Sequence, residues 1–502
     1  MTAIRMFAAD LGASGGKCFA ATLEGQSFAM QEVHRFAHEG VSYFLEDREG
    51  RETERTYWDD VFLYHNIITG LRTFRRDVAD HLDSIAVDTW GADGQLLSPD
   101  GDVLGRMYCY RDHRLDGMIE RLKTCVDPRR VYAITGIHFQ PFNLSNQLLW
   151  LVENRPGLLI PGARFLPVPA VFHHFLCGNP AVDTSWASIS QLMDAKQRAW
   201  SGELLAALHI PADLLPPIVP PGTKLGELRA ALASSVGLNR AQVVASAAHD
   251  TACAFAAAPI VNPDEGLIIS SGTWSVVGKL VPEPITDDAA LQGNISNEGG
   301  IGNTRLLKNC MGTWIVQELR RGWAVADGRD MPWDTMTALA RGAHAFGALI
   351  DPDHPGFFNP ANMEEAITVF CRRTGQAVPA DRGAMLRTVY ESLALKYRLV
   401  NELVCAVSGT TTRVVHVVGG GSKNVLLNQF TADSLGLPVL AGPEEATAVG
   451  NFMVQALGLG AIRSMAEAQP IIRAAFPITH YEPHHDGGWD RAFVRFTALC
   501  AG

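Results

Sequence analysis

Positive charge is in short supply in this sequence. Only 42 Lys and Arg stand against 53 Asp and Glu, a formal net charge of −11. Neutralising a nucleic-acid backbone needs concentrated Lys and Arg, so no nucleic-acid partner is expected. Small anionic ligands stay open, because backbone amides bind phosphate without net positive charge. The nine cysteines, at 18, 109, 125, 177, 253, 310, 371, 405 and 500, are odd in number and show no C-x-x-C spacing. Reduced thiols in a cytoplasmic protein are the expectation. No apolar run approaches the ~18 residues of a membrane span, so no membrane partner is expected. The opening "MTAIRMFAADLG" lacks a charged n-region, an apolar h-region and a cleavage site, and goes directly into a strand pattern.

Hydrophobic residues are plentiful, at 47% of 502, and the length exceeds what a single core supports, so two or three domains are expected. "IRMFAADLG", "KCFAATLEG" and "FAMQEVHRF" read as successive strands joined by glycine turns. Trp58, Val61, Phe62, His65 and Ile68 are spaced like the apolar stripe of a helix. "SIAVDTW" reads as a buried strand, followed by a polar turn and a second strand closed at Pro99-Asp100-Gly101. Asp112 to Leu159 is mostly helical in pattern. Asn179 to Leu228 is irregular and ends in the proline-rich "PADLLPPIVPPGTKLGEL", a surface crossing or linker. The opening grammar then recurs. "QVVASAAHDTACAFAAAP" and "EGLIISSGTWSVVGKLV" each read as apolar strand, small-residue turn and apolar strand. A long helical region from about Met363 to Val407 precedes the strand–glycine–helix–strand pattern of "TRVVHVVGGGSKNVLLNQFTADSLGLPVLAGP". Two related α/β domains, 1–242 and 243–502, are expected.

Four short stretches carry chemistry. Gly12 to Lys17 nearly matches a Walker A loop, and Gly12-Ala13-Ser14-Gly15-Gly16 matches a hydrolase nucleophile elbow. Both motifs require a helix next, and "CFAATLEG" reads as a strand. What remains is a tight hairpin with Asp10 at its mouth and backbone N–H groups at Ala13 to Lys17, suited to phosphate oxygens, with a carboxylate able to hold hydrated Mg2+. An ordinary glycine hairpin has the same residues. Asp250, in "AAHDTACAF", can accept a proton from a substrate hydroxyl or can N-cap a following helix. Ser270 to Thr273 can form a second phosphate turn or a plain Ser/Thr-rich hairpin. Gly419 to Gly421 can let a flat ligand lie on bare backbone or simply make a tight strand–helix turn. His173, His174 and Cys177, like His480, His484 and His485, lack the setting of a metal site.

In their order, Asp10-Leu11-Gly12, Asp88-Thr89-Trp90-Gly91, Tyr110-Arg111-Asp112, His249-Asp250-Thr251, Ser271-Gly272-Thr273-Trp274 and Gly419-Gly420-Gly421-Ser422, these pieces resemble the FGGY family of carbohydrate kinases over nearly the whole chain. The likeness is greatest to its L-rhamnulose-phosphorylating branch, carried by "DTWGAD", "YRDHR", "GIHFQPFN", "AHDTA", "NEGG" and "LLKNCMGTWIVQ". The resemblance implies an α/β fold of two RNase H-like domains, of the actin/hexokinase ATPase type, flanking a deep cleft. It implies ATP and Mg2+ as cofactors and a small ketose as acceptor, L-rhamnulose first and L-fuculose or another ketose or polyol second. It also implies a monomer or small homo-oligomer. Asp250 would be the general base. Ala13, Ser14, Gly15, Gly16, Lys17, Thr273, Gln317 and Gly420 would contact the nucleotide, and Asp10 the metal. Gly91, His249, Asp250, Thr251 and Asn309 would contact the sugar. The chain departs from the family's usual residues at Lys17, at Leu144-Ser145-Asn146 and at Ala170-Val171.

Overall fold

A computed structural model describes residues 3–46, 49–485 and 487–500. The chain forms two compact units interleaved along the sequence. The first comprises Met1–Ala257, Val281–Leu306 and Thr447–Ala475; the second comprises Ala258–Leu280, Leu307–Ala446 and Phe476–Gly502.

The first unit is built on β1 (Ile4–Gly12), β2 (Gly15–Glu24) and β3 (Ser27–Ala37), the three strands expected from the opening residues. They are joined by α1 (Asp60–Asp77), β4 (Ser84–Thr89), β5 (Lys224–Glu227), β6 (Gln242–Val244) and α2 (Asp250–Ala256). The sheet order is β5-β6-β4-β1-β2-β3. Within it, β1 pairs antiparallel with β2 and parallel with β4, and β4 pairs parallel with β6. Met6, Phe7, Ala8 and Ala9 are all buried, as befits a central strand covered on both faces.

The structure forms α1 where the sequence places a helix, with Asp59 capping Phe62 N–H, but turns it onto another face. Of the expected stripe, Trp58 and Ile68 are buried but Val61, Phe62 and His65 are exposed, and Leu63, Ile67, Leu71 and Phe74 are buried in their place. The second set makes the longer stripe at helical spacing. Gly70 lies on the same face and lets the helix approach closely, since a Cβ there would meet Cys18 Sγ at 2.7 Å and Phe7 at 2.9 Å. The expected linker before Gln242 is also corrected. Ile218–Val219 pairs with Val182–Asp183, β5 pairs with β6, and Gly222 N–H donates to the Ala245 carbonyl. That stretch is therefore part of the first unit's sheet structure. Likewise, "AAHDTACAF" turns from strand into helix, because Ala252 to Ala258 favours helix over a return strand.

In the second unit, β7 (Gly266–Ser271) and β8 (Trp274–Val281) form the expected antiparallel hairpin. They are followed by β9 (Thr304–Met311), β10 (Val414–Val418), α3 (Val425–Leu435), β11 (Val439–Ala441) and β12 (Thr479–Tyr481). Their order is β9-β8-β7-β10-β11-β12, with β10 and β11 added in parallel to β7. Each unit thus carries the same arrangement, in which a three-strand meander is extended by parallel strands beside its first strand. All nine cysteines are free. Among the described residues, no helix is long and apolar enough to cross a membrane.

Candidate active site

In the first unit, sheet register brings the acidic residues together. Asp10 lies opposite Lys17 across the hairpin and opposite Asp88 on the parallel strand. A bridge pairs Thr89 with His249, so Asp250 emerges at the same strand ends. Ala248 fixes that approach from both sides, its carbonyl accepting from Thr89 N–H at 2.8 Å and its N–H donating to Asp183 Oδ2 at 3.1 Å. Asp250 then opens α2, with His249 rather than Asp250 at the capping position. Among the described residues, its hydrogen bonds all go to Oδ1, from Thr251 N at 2.5 Å and Thr251 Oγ at 3.1 Å. His249 Nε2 also approaches Oδ1, to 3.4 Å. A partly exposed carboxylate with one oxygen so engaged can accept a proton at Oδ2.

Asp88 is fully buried. Burial, with the Asp10 carboxylate alongside, pushes its carboxyl well above the usual range, and the Asn451 amide only partly offsets this. A polar ladder buried under the sheet holds that amide. Ser84 Oγ donates to Gln455 Oε1 at 2.7 Å, Gln455 Nε2 donates to Asn451 Oδ1 at 2.7 Å, and Asn451 Nδ2 donates to Asp88 Oδ2 at 2.5 Å. Asp10, Asp88, Asp183 and Asp250 all act electrostatically on Cys253, which lies behind them. The hairpin turn is tied down by His38, whose Nε2 lies 2.8 Å from the Gly12 carbonyl. Gly16 leaves room for the Phe36 ring, since a Cβ there would fall 2.2 Å from the ring's tip. Ser14 at the tip is exposed.

Beside these groups, Gly91 leaves room for His249, as a Cβ on Gly91 would lie 2.8 Å from Nε2. Asp93 supports this corner from below, its Oδ2 accepting from Trp58 Nε1 at 2.7 Å, Trp90 Nε1 at 3.1 Å and Tyr110 N at 3.1 Å. Burial raises the Asp93 carboxyl to about 6, against the pull of the Trp58 and Arg114 interactions. With the folded value raised above the unfolded one, this group costs nothing below about pH 4 and costs its full amount above about pH 6. Asn can accept the same bonds and tolerates the positive φ of 73° at this position. Asp93→Asn should therefore fold, and it should lose the fall in stability that Asp93 contributes between about pH 4 and 6. Denaturant melts at several pH values check this; an unchanged pH profile would contradict it.

In the second unit, Thr273 Oγ lies 3.4 Å from Gln317 Oε1, Gln317 Nε2 donates to Thr313 Oγ at 3.1 Å, and Thr313 Oγ donates to the Gly272 carbonyl at 2.8 Å. Gly419 to Gly421 pack on the same turn, where a Cβ on Gly421 would meet Ser271 Oγ at 2.0 Å. Thr273, Gln317 and Gly420 thus gather around one turn. Asn309 lies on β9 in the same unit. His173 is buried with Nδ1 3.2 Å from the Ala181 carbonyl, and among the described residues no three or more of His, Cys, Asp and Glu are grouped so as to hold a metal ion. Sequence reasoning assigned no role to Asp88, Glu298, Arg305 or Asn451. Asp88 and Glu298 stood inside quoted motifs, whereas Asn451 lies in a helix that reads as apolar.

The N-terminal-domain model of the FGGY family of carbohydrate kinases matches residues 54–256, and its C-terminal-domain model matches 267–459. The rhamnulokinase of Bacteroides thetaiotaomicron is 36% identical over 491 residues, covering 98% of each chain. That of Bacillus subtilis is 34% identical over 477 residues, covering 95% of each. Among solved structures, Plasmodium falciparum glycerol kinase with ADP superposes with a TM-score of 0.79 at 14% identity, covering 99% of this chain and 97% of that one. Xylulose kinase from Lactobacillus acidophilus does so with 0.78 at 15%, with the same coverage. These two show the fold.

Proposed function

Because the chain belongs to the FGGY family of carbohydrate kinases and is an ATP-dependent sugar kinase, we propose that it phosphorylates the 1-hydroxyl of a ketose, L-rhamnulose first, with Asp250 as general base. The full-length likeness to rhamnulokinases carries the choice of sugar. In this reading Asp250 Oδ2 takes the proton of the hydroxyl as its oxygen attacks the γ-phosphorus, while Thr251 holds Oδ1. Phosphoryl transfer asks for positioning and charge neutralisation more than covalent catalysis. The Ala13–Lys17 turn supplies backbone N–H groups and one cation, and Thr273, Gln317 and Gly420 hold the nucleotide. Gly91, His249, Thr251 and Asn309 orient the sugar. Asp10 fits Mg2+ by its chemistry, since that ion is commonly held by one or two carboxylates together with substrate phosphates. Bound there, it would neutralise phosphate charge.

The hairpin and Gly91 lie in the 1–242 half, and the base and the nucleotide turns in the 243–502 half. A cytoplasmic monomer or small homo-oligomer belongs to the same reading. L-Fuculose or another ketose or polyol is the alternative acceptor. The departures from the family pattern at Leu144, Ser145, Asn146, Ala170 and Val171 are all buried. A coupled ADP-release assay over L-rhamnulose, L-fuculose, L-ribulose, L- and D-xylulose, glycerol and no sugar tests the proposal. L-Rhamnulose should give the highest kcat/KM. A higher value for another sugar would replace it as substrate, and equally fast turnover without sugar would overturn the proposal.

A further inference from the structure

Two buried charges close on the side of His249 away from Asp250. Arg305, at the start of β9, has its side chain 1% exposed, with Nη2 3.0 Å from Glu298 Oε2. The same Nη2 lies 3.2 Å from His249 Nδ1, and Arg305 Nε donates to the Gly299 carbonyl at 2.9 Å. Glu298 is 7% exposed, and its Oε2 is 3.4 Å from His249 Nδ1. Although burial alone would raise the Glu298 carboxyl, the Arg305 guanidinium alongside is the chief influence holding it low, at about 2. A buried ion pair of this kind contributes little to stability compared with an apolar substitute, so its presence beside the base calls for another reason.

The reason lies in donor chemistry. A guanidinium has only donors, so its contact with Nδ1 requires a lone pair there and places the ring hydrogen on Nε2. The competing tautomer would donate Nδ1–H to Glu298, but Glu298 Oε2 has no partner of good hydrogen-bond geometry among the described residues. We infer that Arg305 is a positioning residue that fixes His249 as its Nε2–H tautomer, with Glu298 holding Arg305 in place. The ring then presents a fixed donor toward Asp250 Oδ1 and the space beside Gly91. That donor leaves Oδ2 as the proton acceptor and admits only an acceptor oxygen of the substrate at that point. The inference rests on the proposed role of Asp250 for its catalytic consequence, but the tautomer does not.

The test is a double-mutant cycle on kcat/KM for the preferred ketose, with thermal stability followed in parallel. Arg305→Met should cost about tenfold or more in the parent and less than about threefold in a His249→Gln background, the signature of coupled residues. Arg305→Lys, which keeps a donor, should restore most of the loss. Equal losses in both backgrounds would overturn the inference. Should Arg305→Met fail to fold because Glu298 is left unpaired, the charge-neutral Glu298→Gln/Arg305→Met chain takes its place in the cycle. Histidine 15N spectra of the parent provide a readout independent of activity. A protonated Nε2 at His249 is expected, and a predominantly protonated Nδ1 would overturn the inference. Asp250→Asn assayed alongside separates the two claims: full activity there removes the base and leaves the cycle and spectra readable.

Discussion

Asp250→Asn is expected to lower turnover by roughly two to four decades, with KM for the ketose and thermal stability close to the parent's. Asn keeps the Oδ1 acceptor that Thr251 N–H and hydroxyl engage, so the first turn of α2 should be undisturbed. At the other position an amide nitrogen replaces the oxygen proposed to take the proton, and an amide is no base. The loss should therefore fall on kcat, the signature of an interaction made in the transition state and not in the ground state. Steady-state kinetics with a thermal melt check this. Turnover within tenfold of the parent would show that the proton leaves by another route.

Gly450→Ala should damage the same site through the fold. Gly450 lies in the helix Ala446–Leu459, and a Cβ there would fall 1.8 Å from the Cys253 carbonyl oxygen and 2.6 Å from its carbon. The obstacle is the backbone of α2, the helix that Asp250 opens, so no side-chain rotation relieves it. The two helices must separate, which also pulls at Asn451 and its bond to Asp88. A destabilisation of about 3 kcal/mol, the upper end of what overpacking costs, is expected, with a fall in melting temperature of roughly 5 °C or more. Activity per folded molecule should fall as well, because the ladder from Ser84 to Asp88 is disturbed. A melting temperature within 1 °C of the parent's, about the noise of the measurement on this scale, would contradict the close approach of these helices.

The parts of the site legible in the sequence are those whose chemistry and backbone requirement sit in one short string. Asp10 with its glycines, His249-Asp250-Thr251 and the Ser271–Thr273 turn each join a polar group to residues that permit a tight turn. The doubled α/β architecture was legible for a similar reason, since strand and glycine patterns repeat in both halves. What the sequence concealed depends on partners far along the chain. Asn451 meets Asp88 from 363 positions away, and Arg305 meets His249 from 56. Nothing local to Asn451 or Gln455 distinguishes a buried polar ladder from a surface pair on an apolar helix. The buried face of α1 differs from the expected one because Val61 and Phe62 are as apolar as Leu63 and Ile67, and the longer stripe of Leu63, Ile67, Leu71 and Phe74, with Gly70 close against Phe7 and Cys18, sets the rotation. The proline-rich stretch before Gln242 has loop composition but pairs with neighbouring strands, a case of tertiary context overriding local preference.

The most direct test of the central claim is the position of the new phosphate. Phosphorus–proton correlation spectra of the product made from L-rhamnulose and ATP should show phosphorus coupled to the C1 methylene protons. In the same time Asp250→Asn should yield about a hundredth of the product or less. Phosphate on another carbon, or free inorganic phosphate formed at the same rate with and without the sugar, would contradict it.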